Sequence, residues 1–183
     1  SFAARHLLVF FCSLLSSAPA FAAVVAELPA IDLNARSATR LNDYPWQFYW
    51  KKLLSPENFE EDAVKPDLVV QPVAIWNHQI IDGKALGSFG YGTYRLRCNL
   101  NARSKRLALR IPAPLTSYRV FVNGELLSEA GRVAESAEAY KPVRRSALLF
   151  FTPSRNEVDI VIQVANYLAY KGGLRLGIEI GYA

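Results

Sequence analysis

The sequence predicts an all-β fold, an antiparallel sandwich of short strands, on three observations. Alternating apolar and polar residues recur through the C-terminal two-thirds of the chain. Adjacent strand side chains point to opposite faces, so each such run has one face to bury and one to wet. Turn chemistry separates the runs, with Asn123-Gly124 the strongest hairpin signal and Pro112, Pro114, Pro142 and Pro153 at other boundaries. About eight such runs, with no internal repeat or low-complexity tract, fit one sandwich or jelly roll.

Taken in order, the first residues read as a targeting segment. Arg5 and His6 form a short polar start, Leu7 to Leu15 (LLVFFCSLL) an apolar run, and Ala20-Phe21-Ala22 a small-x-small cleavage pattern. This order is that of a secretory signal peptide over residues 1–22. The apolar run is shorter than the roughly 20 residues that cross a bilayer. Cys12 follows Phe11, where a lipoprotein signal carries a small residue. Residues 23–43 read as an extended leading segment. Over Trp46 to Leu54 (WQFYWKKLL) the spacing of Trp46, Tyr49, Trp50 and Leu53 predicts a short helix. Ser55 before Pro56 reads as the cap of a further short turn.

From residue 68 onward the period is two. Tyr94, Leu96 and Cys98 predict one strand, and Leu107, Leu109 and Ile111 a second. Tyr118, Val120 and Val122 run through Asn123-Gly124 into Glu125 to Leu127 as a hairpin. Leu148 to Phe151 is a short apolar strand, and Val158, Ile160, Ile162 and Val164 predict a long one. Leu174, Leu176, Ile178 and Ile180 predict the last. The domain is placed over residues 44–183.

Composition narrows the chemistry. Net charge is +5, with basic residues scattered rather than blocked, which gives no footprint for nucleic acid. Past residue 22 the chain keeps one cysteine, Cys98, and one histidine, His78. One cysteine forms no internal disulfide, and the pair supplies neither a zinc set nor a nucleophile-elbow triad. No cofactor is expected. Export without a disulfide framework fits a bacterial periplasm.

Several segments together carry a resemblance. They are Trp46-Gln-Phe-Tyr-Trp-Lys-Lys-Leu-Leu54, Gly90-Tyr-Gly-Thr-Tyr-Arg-Leu96, Tyr118-Arg-Val-Phe-Val-Asn-Gly124, Gly131-Arg-Val133, Ala165-Asn-Tyr167, Lys171-Gly-Gly-Leu174 and a final Leu-x-Ile-x-Ile-Gly181. Their order resembles the periplasmic N-terminal sensor domain of bacterial seven-transmembrane receptors with diverse intracellular signalling modules. The resemblance covers roughly residues 44–181. It implies a galactose-binding-like jelly roll, a carbohydrate or other small polar ligand, and a membrane-embedded signalling region that this chain does not include.

Candidate binding residues follow from residue type and place. Trp76, His78 and Tyr91 flank a glycine-rich connection, and aromatic rings stack on sugar faces and cations; Trp76 and Tyr91 equally suit core or rim packing. Arg95 on its strand offers a forked donor to a ligand or to a cross-strand partner. The segment from Asn166 through Tyr170 and Lys171 to Gly173 interrupts two strands with amide, phenol, ammonium and flexible glycines. Loops at the end of a rigid sandwich commonly carry binding groups. Tyr140, Lys141, Arg144 and Arg145 form a basic-aromatic cluster, from which Arg145 is taken as the candidate. Acidic groups at Glu57, Glu60, Glu61 and Asp62, and at Glu135 and Glu138, read as solvated turns rather than a glycosidase pair.

Three functions fit: a non-catalytic ligand-sensing domain; an interaction module that docks or forms a homodimer, favoured by Phe121 and Val161 on nominally wet faces; and an accessory domain of a glycan-acting enzyme.

Overall fold

The computed structural model describes residues 27–33, 38–60, 64–113 and 116–183. The segment read as a signal peptide lies outside them. The strands are β1 (Thr39–Arg40), β2 (Trp46–Trp50), β3 (Leu68–Val70), β4 (Ile80–Ile81), β5 (Lys84–Ala85) and β6 (Gly90–Asn99). They continue as β7 (Leu107–Ile111), β8 (Ser117–Val122), β9 (Glu125–Ala130), β10 (Ala147–Phe151), β11 (Glu157–Asn166) and β12 (Glu179–Tyr182). Two sheets form the sandwich, one ordered β3-β2-β6-β11-β8-β9 and the other β1-β12-β7-β10, with β4-β5 a separate small hairpin. Paired strands run antiparallel throughout. The chain crosses between sheets at β1 to β2, β6 to β7, β7 to β8, β9 to β10, β10 to β11 and β11 to β12. This is the jelly-roll habit that the strand pattern predicts.

The core is the space between the sheets. The six-stranded sheet contributes Trp46, Phe48, Tyr94, Leu96, Cys98, Tyr118, Val120, Ile160, Ile162 and Val164. The smaller sheet answers with Leu107, Leu109, Ile111, Leu149 and Ile180. Burying each large apolar side chain stabilises the fold by about 1.5–3 kcal/mol. Ile31 and Leu41 join this core from the leading segment, and Ile31 donates its N–H to the Asn99 carbonyl at 2.8 Å. The Asn123-Gly124 turn forms as predicted, with φ of 50° and 88°, and joins Val122 to Glu125. Ser55 and Pro56 open a 3-10 turn over Pro56–Phe59, where the Asn58 carboxamide oxygen accepts the Ser55 N–H at 2.8 Å.

Two elements differ from the sequence reading. Residues 46–50 form strand β2, not a helix. Trp46, Phe48 and Trp50 face the core while Tyr49 packs on the opposite face against Phe59 and Val161. With apolar residues on both faces, the alternation vanished from the sequence and left a spacing that imitates a helical turn. The last predicted strand is also shorter, beginning at Glu179 rather than Leu174.

The outer face of the six-stranded sheet is not wet either. Tyr49, Phe59 and Val161 cluster there with Leu54, Val64 and Phe121. Val133, Ala134, Tyr140 and Ala165 form a second cluster with Leu53, Tyr91 and Tyr167. Leu53, Leu54, Phe59 and Val64 from one connection, and Val133, Ala134 and Tyr140 from another, therefore cover this face. Thr93 anchors the first stretch, accepting the Leu54 N–H at 2.9 Å and donating to the Lys52 carbonyl at 2.7 Å. Val161 is buried and Phe121 half-buried by the chain's own loops.

Candidate functional site

At the end of the sandwich where β6 begins and β11 ends, the sequence builds a rigid floor. Trp76 is wholly buried, stacked on Phe48 at 6.3 Å and edge-on to Trp50 at 5.1 Å. Its indole N–H donates to the Ser88 carbonyl at 3.2 Å. Asn166, also wholly buried, donates to the carbonyls of Ser88 (2.8 Å) and Ala169 (2.7 Å), and its oxygen accepts the Ala169 N–H at 2.9 Å. That arrangement turns the chain out of β11, the work asparagine does in turns.

The loop then lies directly on the indole. A Cβ on Gly172 would stand 2.3 Å from the Trp76 ring and 2.4 Å from the Ser88 carbonyl. Gly173 has φ +93° and would meet the Trp76 backbone at 2.9 Å. Only glycine permits this approach. Asn77 clamps the loop from the side, donating to the Tyr170 carbonyl at 2.8 Å and accepting the Gly172 N–H at 2.9 Å. The Ser88 hydroxyl donates to the same Tyr170 carbonyl at 2.8 Å. Farther along, the buried Asn42 side chain donates to the carbonyls of Val73 (2.8 Å) and Arg175 (3.2 Å). Its oxygen accepts from the N–H groups of Gly177 (2.8 Å) and Ile178 (2.7 Å).

On this scaffold opens a cleft of about 670 Å³, lined by Ala74, Ile75, Arg144, Tyr170, Lys171, Gly173, Leu174, Arg175 and Leu176. Its size is that of a small-molecule site. Tyr170 is 72% exposed and Leu176 60%, and the Lys171 ammonium stands 5.5 Å from the Tyr170 ring centroid. Three cations and no carboxylate line it.

The structure therefore sorts the sequence candidates. Tyr170 and Lys171 share the cleft. Trp76 and Asn166 lie beneath it with no exposed surface, as support rather than contact. Arg145 points elsewhere, donating to the Glu129 carbonyl and tying its loop to β9, and its neighbour Arg144 takes the place in the cleft. Tyr91 is on the outer face of the large sheet. Partial burial, then the Glu135 charge and a hydrogen bond to Glu135, push its phenol above the ordinary value. Arg95 is buried on that same face, paired with Asp159 at 2.8 Å and lying 4.3 Å over the Phe59 ring. It borders a separate hollow of about 440 Å³ in which Arg97, Arg155, Glu57, Glu60, Glu157 and Asp159 mix both signs of charge. His78 is exposed. Cys98 is buried, and burial, with smaller contributions from the Asp159 and Glu157 charges, pushes its thiol up to about 12; at neutral pH it is an inert thiol.

Sequence reasoning missed Arg175, Asn42, Asn77 and Ser88. Arg175 sat in what read as the polar face of a strand, and the other three carry no chemical signal apart from their partners.

Neither a family model nor a curated protein sequence matches this chain. Solved structures do. A GH2 β-galacturonidase from Eisenbergiella tayi bound to galacturonate matches with a TM-score of 0.54 and 10% identity over 84% of this chain and 26% of its own. A β-glucuronidase from Ruminococcus gnavus matches with a TM-score of 0.52 and 17% identity over 78% of this chain and 23% of its own. A β-glucuronidase from Ruminococcus gnavus in complex with D-glucuronic acid gives 0.52 and 13% over 79% of this chain and 28% of its own. The chain thus spans about a quarter of the length of these proteins. At such identities the likeness is one of fold: the chain is an antiparallel β-sandwich similar to the sandwich domains of GH2 glycosidases.

Proposed function

We propose that this chain is a non-catalytic binding domain that works outside the cytoplasm as the sensing part of a membrane signalling receptor, and takes a carbohydrate or other small polar ligand in the Tyr170–Lys171 cleft. The observation that carries the reading is the cleft itself: an exposed aromatic ring and cations presented by a loop whose backbone is fixed by Trp76, Asn77, Ser88 and Asn42. Preorganised loops on a rigid sandwich favour binding because little ordering remains to be done when the ligand arrives. The order of segments from Trp46 to Gly181 supports the receptor setting. Asn42 links the cleft residue Arg175 to the start of β12. A ligand that binds one arrangement of residues 170–178 better than another would shift the balance between them, as sensing requires. Among the described residues the two glutamates whose acidity departs from the ordinary value, Glu57 and Glu138, are both pushed down, by the Ser55 hydrogen bond and by the Glu138 backbone. A glycosidase acid needs the opposite shift.

A thermal-shift screen of the chain against sugars and periplasmic metabolites tests this. A ligand at a hundredfold its Kd adds about 2.7 kcal/mol, a rise of roughly 5–11 °C for a domain of this size, and Tyr170→Ala should abolish it. No rise with any ligand class would defeat the proposal. The sandwich match to GH2 enzymes favours a second reading, an accessory domain of a glycan-acting enzyme. The reading frame beyond Ala183 separates the two: the receptor expects seven apolar segments.

A further inference from the structure

The cleft's chemistry is lopsided. Arg144, Lys171 and Arg175 contribute donors and no acceptor, and no lining side chain is acidic. Among the described residues none of the three is paired with a carboxylate. Three backbone carbonyls nearby already accept hydrogen bonds. The Tyr170 carbonyl accepts from Asn77 and Ser88, the Gly172 carbonyl from the Trp76 N–H at 3.0 Å, and the Arg175 carbonyl from Asn42. A neutral sugar hydroxyl both gives and takes a hydrogen bond. In this cleft the Tyr170 hydroxyl is the one side-chain group of the lining that can accept. The hollow beside Arg95 is the contrast, since four carboxylates there balance three guanidinium groups.

Resting on the binding reading above, we infer that the cleft takes an acidic saccharide, a sugar bearing a carboxylate or phosphate. The anion sits among Arg144, Lys171 and Arg175, and the apolar sugar face lies against Tyr170 and Leu176. An anion relieves the mutual repulsion of three cations and meets the forked guanidinium donors in pairs. The exposed ring and the leucine give the remainder of the ligand an apolar surface, which a bare anion would leave unused. A concavity of about 670 Å³ fits one or two sugar units better than a flat lipid or peptide surface.

Calorimetric titration of the full chain tests this with D-galacturonate, galactose 6-phosphate, galactose and inorganic phosphate as separate probes. The expected result is that one of the two charged sugars binds at least tenfold tighter than galactose. Lys171→Met and Arg175→Met should each weaken it tenfold or more, and 0.5 M salt should do the same. Arg145→Met, outside the cleft, should leave it within twofold. All three side chains are exposed, and circular dichroism verifies that each variant is folded. Galactose binding as tightly as both acids would overturn the inference and leave the binding reading standing. Phosphate alone binding as tightly as the sugars would reduce the cleft to an anion hole and overturn the saccharide. Binding by none of the probes would overturn the inference, while the broader screen decides the binding reading separately.

Discussion

Asn42→Ala should be among the most damaging single changes in the domain, although it alters no residue of the cleft. The side chain makes four hydrogen bonds, to the Val73 and Arg175 carbonyls and from the Gly177 and Ile178 N–H groups. The bonds to Val73 and Ile178 are buried and the other two partly so. Water can replace the partly buried pair at little cost. Each buried group left without a partner costs about 1–3 kcal/mol, so the substitution should cost about 2–6 kcal/mol. Near 4 kcal/mol, the melting temperature falls by about 8–16 °C. Asn42→Asp sharpens the reasoning. It keeps the acceptor for Gly177 and Ile178 but turns an oxygen towards two carbonyls and buries a charge. Both raise its carboxyl pKa in the folded state. A raised folded value gives stability that is present at low pH and lost as pH rises through it. The Asp variant should therefore recover part of its deficit, relative to the parent, between pH 7 and pH 5. Thermal melts by circular dichroism at both pH values are the assay. An Ala variant within about 0.5 kcal/mol of the parent, or an Asp variant with no recovery on acidification, refutes the clamp.

Other expectations concern different links in the same chain of causes. Gly172→Ala places a methyl against the Trp76 indole and the Ser88 carbonyl; overpacking of this kind costs about 1–3 kcal/mol, and differential scanning calorimetry should show it, with ligand affinity falling as well. Cys98 should resist a thiol reagent such as DTNB in the native state and react only as fast as the domain opens, because its thiol is buried and stays protonated until about pH 12; rapid labelling of the folded protein would contradict its placement. Cys98 ionises near 9.0 when unfolded and near 12 when folded, so its contribution is intact below pH 9 and declines between about 9 and 12; Cys98→Ala should flatten that alkaline loss in urea melts. Asp159→Ala removes a bidentate partner of the buried Arg95 and should cost about 1–3 kcal/mol, whereas Glu129→Ala, in the exposed pair with Arg119, should cost about 0–1 kcal/mol.

The sandwich was legible wherever a strand had one covered face. β7 and β8 fall on the predicted alternation, and the Asn123-Gly124 turn lies where the sequence placed it. β2 was not legible because both of its faces are covered, one by the opposing sheet and the other by Leu54, Phe59 and Val64, and no single-strand pattern encodes a cover supplied from elsewhere. The stretch 174–178 has the alternation of a strand but not its pairing. The Gly177 and Ile178 N–H groups go to the Asn42 side chain, and Gly177 turns at φ +96°. For the cleft, Tyr170 and Lys171 stood out because they interrupt strands. The choice between Arg144 and Arg145 could not be made from composition, since one residue of parity decides which guanidinium faces the cleft and which ties down β9.

The pairing of β1 with β12 has a mechanical consequence. Thr39 lies opposite Ile180 and Arg40 opposite Glu179, so the chain running into β1 and the chain running out of β12 leave from the same end of an antiparallel pair. Tension between those two ends opens the pair as a zipper, one rung at a time, where strands loaded from opposite ends would shear every rung together. Each rung resists with a single hydrogen-bond step of about 1 kcal/mol. The next rungs inward are the Leu41 N–H on the Ile178 carbonyl at 2.8 Å and then Asn42 itself. Opening that pair therefore draws Ile180 and Leu41 out of the core and arrives at the clamp of the cleft within a few rungs, and whatever steadies residues 170–178 works as the stop on that zipper.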